Sequence, residues 1–170
     1  VLTGSARVGV RYYYYRAADR EAAVARPEYP RAVADRRVTV FDAVETKWDH
    51  RVVLGYLIAL IRGVPYRPVV ESVCLYPPPD GAPRTEEEWA ALPDDSPYLG
   101  PEIDELPVAV RDALADADDT RLPEVAGRLA EEFWGAAERE DAQMLIKELV
   151  SLARRTRENG QMLYCWCAPG

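Results

Sequence analysis

The sequence predicts a single α/β or α+β domain, about four strands in a mixed sheet packed by about six helices. Three observations lead there. In the first half of the chain, short segments rich in β-branched and aromatic residues alternate with helical apolar spacing. The second half carries long amphipathic helical patterns. The last ten residues, Gln161 to Gly170, are apolar and compact and read as a final strand. A lone strand is not stable, so this one must return to the sheet of the first half. That return, with 170 residues, no internal repeat and no low-complexity linker, argues for one core.

Val8 to Tyr15 reads as the first strand. Its four consecutive tyrosines, Tyr12 to Tyr15, put rings on both faces, as in a strand covered on both sides. Asp19 caps a short helix to about Ala25, ended by Pro27 and Pro30. Arg37 to Val44 is a second strand, with Val38, Val40 and Asp42 on one face and Thr39, Phe41 and Ala43 on the other. Asp49 is a good cap for the next helix, where Val53, Leu54, Leu57, Ile58 and Ile61 share a face until Gly63 and Pro65 stop it. Pro68 to Tyr76 is a third strand. Three strands separated by two helical segments suggest βαβ units.

Pro77 to Gly81 is a rigid turn. Thr85-Glu-Glu-Glu88 is a capping box that opens a short helix through Leu92, and Pro93 to Pro101 is loop. Two acidic helices follow, Leu106 to Ala117 and Arg121 to Phe133. Glu138 to Arg157 is the longest helix, and Arg154, Arg155 and Arg157 in its last turn suit the negative end of the helix dipole. Asn159-Gly160 turns the chain into the terminal strand.

Net charge is −8 and uneven: +4 over residues 1–76, −13 over 77–140 and +1 over 141–170. An acidic middle argues against nucleic-acid binding, which needs a cationic footprint. It suits a basic protein partner. No apolar run approaches the ~20 residues that span a membrane, and no signal-like pattern opens the sequence, so a cytoplasmic protein is expected. Three cysteines do not make a disulfide framework. No glycine-rich phosphate loop is present and no cofactor is expected.

Two places carry candidate chemistry. Asp42, Glu45, Lys47, Trp48, Asp49 and His50 link a strand end to a helix start, where open α/β sheets place ligands. The competing explanation makes Asp49 a cap, Trp48 packing and the other charges solvated. Cys165 and Cys167 share one strand face. With Cys74 and the sole histidine, His50, they have the composition of a Cys₃His zinc site. Their spacing is not that of paired zinc ligands, and core packing explains them as well. A cysteine nucleophile needs a base beside it, and His50 is the sole imidazole. Phe133-Trp134, next to a glycine, would suit a partner anchor.

Three segments carry a resemblance: Phe41-Asp-Ala-Val-Glu-Thr-Lys47 with the helix to Gly63-Val-Pro-Tyr66; Glu132-Phe-Trp134; and Leu152-Ala-Arg-Arg155 with Leu163-Tyr-Cys-Trp166. Together they resemble a family of small uncharacterised actinobacterial proteins with a C-terminal Leu-Tyr-Cys-Trp strand. That resemblance implies no activity and no site residue. The −13 segment, the single histidine and the lack of a recognisable catalytic motif lead instead to the expectation of a non-enzymatic, inhibitor- or immunity-like protein-binding module. The alternatives are a small-molecule binder or enzyme using residues 42–50, or a zinc-stabilised domain.

Overall fold

The chain's last strand lies at the centre of its sheet. A computed structural model describes residues 10–25, 27, 41–68 and 71–168. Five strands, β1 (Arg11–Ala17), β2 (Ala43–Thr46), β3 (Val73–Tyr76), β4 (Glu102–Glu105) and β5 (Met162–Ala168), form one sheet in the order β2-β1-β5-β4-β3. Every neighbouring pair is antiparallel. Among the described residues there are six α-helices: α1 (Arg20–Val24), α2 (Val53–Arg62), α3 (Glu86–Ala90), α4 (Val108–Ala115), α5 (Leu122–Phe133) and α6 (Arg139–Glu158). None is long and apolar enough to cross a membrane.

The tyrosine run does what alternation requires. Tyr14 faces the larger core, with Val44, Leu163 and Cys165, under α2, α4, α5 and α6. Tyr13 and Tyr15 face the opposite side with Ile103, Tyr164 and Trp166, where Ala23 of α1 packs. The Trp166 indole N–H donates to the Pro27 carbonyl at 2.6 Å, which fastens this second layer.

The fold is thus α+β, and two expectations are corrected. Among the described residues the sheet has five strands, not about four, because Glu102-Ile-Asp-Glu105 is a strand. Three carboxylates in four residues hide it, yet two of them have distant partners. Glu105 accepts two hydrogen bonds from Arg20, at 2.8 and 3.0 Å, and Asp104 meets His50. The sheet is also not mixed. β2 and β3 lie at opposite edges, so α2 crosses the sheet and does not link adjacent parallel strands.

Boundaries shift at the strands. The second strand is found at Ala43–Thr46 and the third at Val73–Tyr76. Residues 8–9, 30, 37–40 and 69–70, named in the expected elements, lie outside the described residues, as do 169–170 of the tail. Helix ends agree within about two residues because their signals are local, except that α2 starts at Val53 and not directly after Asp49. Asp19 accepts from the Ala22 N–H, Thr85 accepts from Glu88, and Gly63 closes α2 at φ 65°.

Candidate functional site

The segment from Asp42 to His50 sends its polar side chains to separate places. The Asp42 carboxylate accepts from Arg155 at 2.7 and 2.9 Å and from Arg16 at 2.8 Å, tying β1 to α6. Glu45 pairs with Arg11 at the surface, opposite Tyr13 and hence on the other sheet face from Val44. Lys47 is exposed. Asp49 caps the turn entering α2, accepting from the backbone N–H groups of Arg51, Val52 and Val53. Trp48 and His50 turn inward. The six residues therefore do not line one pocket.

His50 instead finds a partner that sequence reading missed. Its Nε2 lies 2.6 Å from Asp104 Oδ2, with side-chain exposures of 8% and 4%. Arg51 approaches the same oxygen at 3.8 Å from the solvent side. His50 Nδ1 and Asp104 Oδ1 are buried and have no hydrogen-bond partner among the described residues.

The registers explain the neighbourhood. Val44, Tyr14, Cys165, Asp104 and Cys74 stand side by side across all five strands. Thr46, Tyr12, Cys167 and Glu102 form the next row. One end of one sheet face thus holds His50, Asp104 and all three cysteines. The Tyr12 and His50 rings are 6.4 Å apart.

Proximity does not make these thiols reactive. Burial pushes all three above the ordinary thiol range, Cys165 well above it. The Asp104 carboxylate adds to the shift at each. A nucleophile or a thiolate ligand needs the opposite electrostatics. Among the described residues, no three His, Cys, Asp or Glu side chains are placed to hold a metal ion.

A second feature grows from Trp48. Its N–H donates to Thr46 Oγ1 at 3.0 Å and its carbonyl accepts from the Tyr14 hydroxyl at 2.8 Å. Trp134, just past α5, stacks on it with ring centroids 5.2 Å apart and planes at 10°. Phe133, Tyr56 and Tyr66 continue the row at 5.3, 5.1 and 3.9 Å. Trp48 is 7% exposed and Trp134 43%. Gly135, at φ 106°, lets the chain turn away directly after Trp134.

Comparisons with family models, with curated proteins and with solved structures give no match.

The acidic middle divides in two. Asp116 pairs with Arg157 at 2.7 Å and Asp119 with Arg154 at 2.9 Å, while Asp118 accepts from the Thr120 N–H and hydroxyl. Asp116 and Asp119 fasten α4 and its following turn to α6, and Asp118 shapes that turn. Glu124, Glu131, Glu132, Glu138, Glu140 and Asp141 are exposed and join no ion pair among the described residues.

Proposed function

We propose that this chain is a non-enzymatic binding module of the inhibitor or immunity type, acting in the cytoplasm on a basic protein partner. The observation that carries this reading is the set of exposed acids on α5 and at the start of α6, unpaired among the described residues. Their negative potential steers a basic partner and speeds its association. The three thiols, all held by burial above their ordinary range, weigh against cysteine nucleophilic catalysis.

A tagged full-length chain expressed at native level, with captured proteins identified by mass spectrometry, tests this. One dominant basic partner, released by salt and weakened by charge reversal at Glu131 and Glu132, is expected. Salt-insensitive capture, or capture unchanged by that reversal, rejects the acidic face. Reversal at Asp116 or Asp119 is a poor test because it breaks internal ion pairs.

A second reading is favoured by the two buried atoms of His50 and Asp104 that have no partner among the described residues: a small polar ligand would satisfy both. A metabolite-induced thermal shift that His50→Gln abolishes would support it. A shift that survives this change would reject it.

A further inference from the structure

We infer that the aromatic row through Trp134 is the core of the docking surface, and that an arginine or lysine side chain of the basic partner stacks on the Trp134 ring. This inference rests on the acidic-partner reading above and locates its centre.

Trp134 is exposed yet held. One face of its indole lies on Trp48, which the Thr46 hydroxyl and the Tyr14 hydroxyl fix through its backbone. Phe133 leans on it, and Phe133 is braced by Tyr56. Trp134 remains 43% exposed, so part of the braced indole is in reach of a partner. Trp89 is as exposed, at 45%, but makes no ring contact among the described residues. A braced ring loses little conformational entropy on binding, which is the property of an interface anchor.

Charge selects the occupant. Glu131, three residues before Trp134, has the spacing of a helix-surface neighbour and is exposed, and Glu132 adds a second exposed charge on the same turn. An indole face is electron-rich and attracts a cation above it. Carboxylates beside an exposed indole favour a guanidinium or ammonium group and disfavour an acidic or purely apolar segment. Nucleic acid would be repelled.

The test uses the full chain and a fluorescent arginine nonapeptide as probe, read by anisotropy and by the indole N–H resonances. Binding at low salt should move the Trp134 resonance first. Trp134→Leu should weaken binding by roughly tenfold while Trp134→Phe retains most of it, the scale of a desolvated cation–π contact. Glu131→Gln with Glu132→Gln should weaken binding and flatten its salt dependence.

If Trp134→Leu binds as tightly as the parent while the glutamate changes weaken binding, the acidic reading survives and the aromatic core is overturned. If the nonapeptide fails to bind at low salt, both fall. If the parent chain self-associates and Trp134→Leu abolishes it, the face receives a second copy and the basic occupant is overturned. The parent's Trp134 resonance decides the matter even if a variant does not fold: an unmoved signal at saturation refutes the contact.

Discussion

Replacing Asp104 by Leu should destabilise the protein far more than replacing His50 and Asp104 together. Asp104 Oδ2 is 2.6 Å from His50 Nε2, and both side chains are more than nine-tenths buried. Removing the carboxylate alone leaves an imidazole nitrogen buried with no acceptor. Breaking a buried pair from one side costs about 3–5 kcal/mol. The exposed Arg51, 3.8 Å from the same oxygen, adds little. For a chain of this length, about 3 kcal/mol corresponds to a fall in Tm of roughly 6–12 °C. The double change His50→Leu with Asp104→Leu removes both polar groups, and such apolar replacement is often near neutral. Denaturant titration followed by tryptophan fluorescence measures all four corners of the cycle. A double variant whose loss equals the sum of the two single losses would refute the reasoning, because uncoupled side chains do not share a 2.6 Å contact.

Three further outcomes follow from the perturbed groups. Arg155, and then Arg16, hold the Asp42 carboxyl below its ordinary range. A depressed folded value stabilises above the unfolded value and is lost as pH falls through the folded one, so Asp42→Asn should flatten the acid limb of stability below about pH 4. An unchanged limb in a pH series of melts would contradict this. Burial, with Glu105 adding, pushes Tyr164 up to about 12. The folded state then holds a proton that the unfolded chain loses, so stability should decline as pH climbs from about 10 towards that value; Tyr164→Phe should reduce that decline in alkaline melts, the remainder coming from the other tyrosines raised by burial, Tyr12 to Tyr15 among them. Cys165 should resist a thiol reagent in the native protein, while the half-buried Cys74 and Cys167 react slowly. Rapid modification of Cys165, mapped by mass spectrometry, would show that the sheet face is open.

The helices were legible because their signals are local. Thr85 with Glu88, Gly63 after Ile61, and the arginines in the last turn of the longest helix each lie within a few turns of chain. β4 was not legible, because what makes Glu102-Ile-Asp-Glu105 a strand lies far away. Glu105 answers Arg20, Asp104 answers His50, and the strand gains ladders from β3 and β5. Antiparallel pairing was hidden for the same reason: spacing along the chain does not reveal which edge a strand occupies. Part of the site was legible. Asp49 caps the turn before α2, with Val52 at the helix N-cap itself, while the shared face of Cys165 and Cys167 holds. The convergence of Asp42 and Glu45 with His50 does not, since arginines from β1 and α6 claim both carboxylates.

The buried pair and the exposed tryptophan belong to one mechanical unit. The turn from Thr46 to Val53 is fixed at three points: Thr46 and Tyr14 hold Trp48, Asp49 caps the entry to α2, and Asp104 holds His50. Trp134 stacks on that turn through Trp48 and is steadied from the side by Phe133. Releasing His50 would therefore loosen the platform beneath Trp134 without touching the exposed surface. An Asp104 variant that still folds should show a broadened Trp134 indole resonance and weaker cationic-peptide binding, although Asp104 lies at the buried base of the unit. A sharp, unshifted Trp134 signal in such a variant would mean that Phe133 and Tyr56 alone hold the ring.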